Sequence, residues 1–145
     1  MGIKTSRGSV HNLNYHLIWV TKYRESIFDT ENKVNDMKEI LKTLAGMKDI
    51  EIQSIEVMPD HIHLLVSSAP KVSVSEMVKV LKGASARNWF KEHPETKELL
   101  WGGHLWSDSY FASTLGDISK DIVANYINNQ ATEYNMGRKR KNKRC

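Results

Sequence analysis

The stretch "IEIQSIEVMPDHIHLLVSS", Ile50–Ser68, decides how this chain folds. Its first half alternates through Ile50, Ile52, Ile55 and Val57, with one irregularity at Ser54. That is the pattern of a half-buried strand. Pro59-Asp60 reads as a turn and "HIHLLVSS" as a second strand, so the segment predicts a β-hairpin. Side chains alternate across a strand, which puts Ile62, Leu64 and Val66 on one face and His61, His63 and Leu65 on the other. The aliphatic set belongs in a core. The two imidazoles then stand side by side on the opposite face, their Cβ atoms roughly 7 Å apart. Two neutral imidazoles at that spacing can ligate one divalent ion, and histidine is the commonest metal ligand. Two polar residues on a solvated sheet face are the other reading. Asp60, in the turn, is placed to hold a histidine rather than to ligate. No H-E-x-x-H or C-x-x-C pattern is present.

Outward from the hairpin, the elements alternate. "HNLNYHLIWVTKYR" (His11–Arg24) is rich in aromatic and β-branched residues and predicts a strand around 12–21. "DTENKVNDMKEILKTLAGM" offers Asp29 or Thr30 as N-cap. Val34, Met37, Ile40, Leu41 and Leu44 follow at helical spacing, and Gly46 comes near the end. After the hairpin, Ser73 or Ser75 caps a helix with Met77, Val80, Leu81, Ala84 and Trp89 as its stripe, and Pro94 ends it. "LWSDSYFASTLG" reads as a fourth strand, and "DISKDIVANYINNQATEYN" as a final helix begun near Asp117 or Ser119. The order β-α-β-β-α-β-α contains the split βαβ, ferredoxin-like plan. The fold class expected is therefore α+β: an antiparallel sheet with helices on one face, strands 1 and 3 central, plus a C-terminal helix.

Bulk properties fit one domain of 145 residues, 40% hydrophobic and 26% charged. No apolar run is long enough to span a bilayer, and the N-terminus lacks the apolar core of a signal peptide. The single cysteine, Cys145, can form no disulfide within the chain. These features predict a cytoplasmic protein without a membrane partner. The net charge of +4 is a property of one segment, because "RKRKNKR" (residues 138–144) holds six cations and no acid. Without it 15 Lys+Arg face 17 Asp+Glu. Residues 1–137 are thus read as the folded domain and 138–145 as a basic tail. Such runs bind polyanions or act as solubilising ends. Lys79, Lys82, Arg87 and Lys91 line the second helix, either as a solvated face or as a contact surface. Trp106 and Tyr110 either stack on bases or pack. His104 reads as a loop residue.

In the final helix Tyr126 and Gln130 are four apart and share a face, while Tyr134 lies four residues from Gln130 on the other side. Spacing alone does not choose between the tyrosines. "PDHIHLLV" followed by "YINNQ", with "HLIWVTKYR" and "LWSDSYF" in the same relative order, resembles the small single-tyrosine HUH transposases of bacterial and archaeal insertion sequences. The REP-associated tyrosine transposases belong to that superfamily. The likeness covers most of the chain.

The resemblance implies a residue-by-residue site. His61 and His63 are the HUH pair, and Tyr126 with Gln130 matches the helix motif, which decides between the tyrosines. His61, His63 and Gln130 would hold Mg2+ or Mn2+, and Tyr126 would be the nucleophile that leaves a 5′-phosphotyrosine and a free 3′-OH. Substrates would be single-stranded DNA with hairpins at element ends, gripped in part by Lys79, Lys82 and Arg87 and, from the tail, Arg138, Lys139 and Arg140. Relatives are homodimers whose active sites are shared between subunits. Two other classes remain open from the sequence. One is a metal-dependent single-strand nuclease, which needs no tyrosine. The other is a non-catalytic ferredoxin-like nucleic-acid-binding module, which would carry aromatics where this chain has histidines.

Overall fold

The structure is a computed structural model, and it describes residues 13–69 and 71–115. The elements are β1 (Leu13–Val20), α1 (Glu31–Met47), β2 (Glu51–Met58), β3 (His61–Ser68), α2 (Val74–Glu92) and β4 (Phe111–Leu115). Two short 3-10 segments, Lys22–Arg24 and Pro94–Leu99, join them. The sheet is antiparallel in the order β2-β3-β1-β4, so β1 and β3 are central, as the ferredoxin-like plan requires. The expected final helix, with Tyr126 and Gln130, and the basic tail with Arg138, Lys139 and Arg140 lie outside the described residues.

One face of the sheet carries Tyr15, Leu17 and Trp19 from β1, Val57 from β2, and Ile62, Leu64 and Val66 from β3. They form one core with Met37, Ile40, Leu41 and Leu44 of α1 and Met77, Val78, Leu81 and Trp89 of α2. The hairpin closes through a two-residue turn, Pro59-Asp60, with Met58 opposite His61. The irregularity near Ser54 is a β-bulge: Ile52 pairs with Val66 and Ser54 with Leu65, leaving Gln53 without a partner position.

Caps fix the helices. Thr30 Oγ1 accepts from the Lys33 amide at 3.2 Å, and Ser73 Oγ from the Glu76 amide at 3.1 Å. Each satisfies a backbone donor that the first turn leaves free. Two sequence expectations about these elements hold and two need correction. Gly46 lies near the end of α1 as expected, one residue before its last, and the left-handed residue beyond the helix is Asp49, φ 57°. The Ile50 amide there returns to the Ala45 carbonyl at 3.0 Å. In α2 the buried stripe uses Val78 and Ser85 rather than Val80 and Ala84. Ser85 is tolerated inside because its hydroxyl donates to the Lys82 carbonyl and accepts from Trp106 Nε1 at 2.9 Å. Pro94 does end α2, which stops at Glu92, and it also opens a 3-10 helix, as proline at a first helical position can. Finally, β4 begins only at Phe111. Residues 105–107 instead tie to the end of β1, Lys22 donating to the Leu105 carbonyl and Ser107 to the Val20 carbonyl.

Candidate active site

His61 and His63 project from β3 on the face away from the helices, as alternation requires. Their ring centroids are 5.0 Å apart. This face is not the solvated surface that its polar residues suggest: His63 is 4% exposed, and its neighbours Met58, Leu65 and Ser67 are also buried. Each imidazole is met at Nδ1 by a second side chain. His61 Nδ1 lies 2.8 Å from Asp60 Oδ1, and Asp60 Oδ2 accepts from Arg24 Nε at 3.2 Å. Burial pushes the Asp60 carboxyl up, but the His61 hydrogen bond and the Arg24 charge outweigh it and bring it to about 2. An ionised carboxylate only accepts, so His61 Nδ1 carries the proton that bonds Asp60. His63 Nδ1 faces His16 Nε2 of β1 at 3.5 Å, with the rings nearly parallel and their centroids 5.7 Å apart.

Burial, and then the neighbouring His61 and His16, lower the His63 value from 6.5 to about 4. Burial also lowers His16. His63 is therefore neutral at physiological pH, the state a ligand needs. Its unfolded counterpart takes up a proton near 6.5. The contribution of this group to stability is then full above that value and is lost as pH falls towards about 4. In ion-free protein the His63 Cε1 proton resonance is expected to titrate near pH 4, with the urea midpoint falling across the same interval. A midpoint for that resonance at 6.5 would contradict the burial argument.

The turn that carries Asp60 is itself pinned. The Asp60 carbonyl accepts from the Thr21 amide at 2.9 Å, and the Pro59 carbonyl from the Phe28 amide at 3.1 Å. The following residues, Tyr23 and Arg24, both adopt left-handed backbone, φ 60° and 55°. Non-glycine residues seldom do so. Arg24 reaches Asp60 from there.

Other predicted residues lie elsewhere. Lys79, Lys82, Arg87 and Lys91 line a groove of about 740 Å³ between α2 and residues 103–110, on the helix side of the sheet. Lys82 is tied down, its ammonium donating to the carbonyls of Ser107 at 2.6 Å and Ser109 at 3.3 Å. Burial lowers its pKa, while Asp108 opposes the shift. Trp106 packs, buried edge-on against Trp19. Tyr110 lines the groove, half-exposed, and His104 is an exposed loop residue. A separate group, Asp36, Glu92 and His93, brings its potential ligand atoms within 4.8 Å. His93 Nε2 and Asp36 Oδ2 already meet at 2.7 Å, which staples α1 to the end of α2. Sequence reasoning passed over His16 and Arg24. A signal existed for His16, since it shares the period-two parity of Ile18, which pairs with His63. None existed for Arg24, whose contact spans 36 positions.

The site thus belongs to a ferredoxin-like α+β domain with two histidines on a central strand, each met at Nδ1 by a second side chain. The family described as "Transposase IS200 like" matches residues 9–130. The chain belongs to that family, whose members are DNA-cleaving transposases of insertion sequences. It is 43% identical over 128 residues to the ISDra2 transposase TnpA of Deinococcus radiodurans, covering 88% of this chain and 91% of that one. It is 32% identical over 126 residues to the transposase for insertion sequence element IS200 of Salmonella typhimurium, covering 87% and 82%. Among solved structures, a putative transposase from Deinococcus radiodurans superposes with a TM-score of 0.70 at 41% identity, over 86% of this chain and 95% of that one. A REP-associated tyrosine transposase bound to a REP hairpin shares the fold, with a TM-score of 0.61 at 11% identity over 86% and 70%. Among the described residues no helix is long and apolar enough to cross a membrane.

Proposed function

We propose that this chain cleaves and rejoins single-stranded DNA at the ends of an insertion sequence through a covalent link to Tyr126. The observation that carries the reading is the pair of central-strand histidines whose Nδ1 atoms both face a partner, in a chain of the IS200-like family. The donor set suits a divalent ion: two imidazoles whose ring centroids lie 5.0 Å apart on one strand face, with the Gln130 amide as third donor. His61, His63 and Gln130 would hold Mg2+ or Mn2+, which when bound supplies Lewis-acid stabilisation of the charge that builds on the phosphate oxygens. Asp60 keeps His61 in one tautomer, and His16 Nε2 faces His63 Nδ1 at 3.5 Å. Tyr126 Oη attacks phosphorus, the P–O3′ bond breaks, and the departing oxygen takes a proton to become a 3′-OH. The phenolate is a good leaving group on return, so the link stores the bond energy and rejoining needs no nucleotide cofactor. Hairpins at element ends are the expected partners, on the likeness to relatives and the basic α2 groove.

A homodimer with shared sites completes the reading. Strand β4 is an edge strand, and unpaired edges invite pairing with a second chain. The test joins single-stranded element ends, Mn2+ and co-expressed Tyr126→Phe and His61→Ala chains. Each homodimer should be inactive. The heterodimer should recover cleavage, with the adduct on the His61→Ala chain at Tyr126 by mass spectrometry. Recovery absent from verified heterodimers would reject shared sites, and no adduct from the unmodified protein would reject the tyrosine chemistry. Strand cleavage with transfer only to water would support the nuclease.

The tail gives a separate expectation. Removing residues 138–145 should weaken DNA binding and flatten its salt dependence. Six cations, each releasing about 0.7 counterions on a single strand, set a slope change of up to roughly 4. An unchanged slope would make the tail a solubilising end.

A further inference from the structure

We infer that Tyr23 and Trp101, with Lys22 and Arg24, form a stacking track for the single strand that flanks the cleaved phosphate; this rests on the proposed single-stranded DNA substrate. Trp101 is 84% exposed and Tyr23 55%; Phe111 of β4 matches Tyr23, and Trp101 exceeds every other aromatic among the described residues. Neither Trp101 nor Tyr23 has a place in the core, and exposed large aromatics gathered on one surface signal a partner. They are also held together. Tyr23 Oη donates to the Trp101 carbonyl at 3.3 Å, and the Lys22 amide to the Leu105 carbonyl at 2.8 Å, so two loops distant in sequence form one edge.

Backbone geometry points the same way. Tyr23 and Arg24 are consecutive left-handed non-glycine residues, and Trp101 is followed by Gly102 and Gly103 at φ 92° and 72°. The glycines adopt such angles freely, but at Tyr23 and Arg24 they are strained, and strain of that kind persists where surrounding structure imposes it and clusters at ligand sites. Here it turns the Tyr23 ring outward and the Arg24 guanidinium inward to Asp60. The track is thus continuous with the histidine site through Arg24, Asp60 and His61.

The chemistry selects the occupant. Lys22 Nζ lies 5.7 Å from the Tyr23 ring centroid, and Arg24, paired with Asp60, keeps a side chain that is 60% exposed. Aromatic faces interleaved with cations suit a single strand, whose bases stack while its phosphates pair with the cations. A duplex hides its base faces and would not use the rings.

Trp101 is its own reporter. The chain has four tryptophans, and Trp19, Trp89 and Trp106 are buried. Acrylamide quenching of the full-length protein therefore reads Trp101 almost alone. A 30-nucleotide single strand of mixed sequence is expected to shield it, lowering the Stern–Volmer constant towards that of Trp101→Ala. By fluorescence anisotropy, Trp101→Ala and Tyr23→Asn should each weaken binding roughly 5- to 100-fold. An abasic strand of equal length should bind the unmodified protein about as weakly. Trp101 left fully quenchable at saturating DNA, or variants that bind like the unmodified protein, would overturn the track. So would shielding that grows with protein concentration without DNA, which would assign the surface to contact between copies. Shielding without a Tyr126 adduct would reject the transfer chemistry and keep the track. An adduct without shielding would do the reverse, and a protein that binds no single strand would reject both.

Discussion

His61→Ala and His63→Ala are each expected to lower single-strand cleavage by at least about a thousand-fold while leaving hairpin binding close to that of the unmodified protein. A metal-bound phosphate gains several kcal/mol of transition-state charge stabilisation, and about 4 kcal/mol corresponds to that factor. Neither imidazole has a substitute nearby. Asp60 is committed to Arg24 and His61, and His16 faces His63 from behind on the neighbouring strand. Hairpin affinity comes instead from phosphate contacts elsewhere, for which the α2 groove lies on the far side of the sheet. The measurement is a denaturing gel for protein-linked DNA beside a gel-shift titration. Cleavage that persists in either variant, or in EDTA, would remove the ion from the mechanism.

Trp89→Ala should cost about 3–5 kcal/mol, a large part of the roughly 5–15 kcal/mol that keeps a domain folded. The indole is fully buried, edge-on to Phe28 at 5.0 Å and stacked on His93 at 4.2 Å. Its Nε1 donates to Thr96 Oγ1 at 3.0 Å. Truncation empties the volume and severs the tie between α2 and the Pro94–Leu99 segment. Trp89→Phe should cost less, because a ring remains and Thr96 keeps its own bond to the His93 carbonyl. Urea midpoints at constant slope report this directly. A shift no larger than that of exposed Trp101→Ala would refute the packing argument.

The hairpin was legible because its code is local: aliphatic residues every second position, a Pro-Asp turn and one broken step. The same parity placed both histidines on the correct face. The caps were legible to within two residues, since a hydroxyl near a helix start has few other uses. What failed depended on distant partners. "LWSDSYF" has the composition of a strand, yet Trp106 is drawn out of the sheet by Ser85 and the core around Trp19. The buried stripe of α2 shifted to Val78 and Ser85, because Trp106 supplies Ser85 with a partner from a distant loop. The site was half legible. The histidine pair stood in one short motif, whereas Arg24 reaches Asp60 and His16 reaches His63 only across 36 and 47 positions. The burial of His63 was invisible, because polar residues on a sheet face ordinarily mean water.

The bulge at Gln53 separates two kinds of change that this chain can undergo over evolutionary time. Because Gln53 has no position opposite it, β2 is divided into two stretches whose in–out parity is set independently. On the far side, towards Glu51, a residue gained or lost shifts a short edge segment and leaves the histidines where they are. On the near side the two-residue turn, its carbonyls bound to Thr21 and Phe28, leaves no slack. One inserted residue between Asp60 and His61 would exchange the two faces of β3, sending both imidazoles into the aliphatic core and Ile62, Leu64 and Val66 out of it. Length variation among descendants of this sequence should therefore accumulate before the bulge and be purged after it.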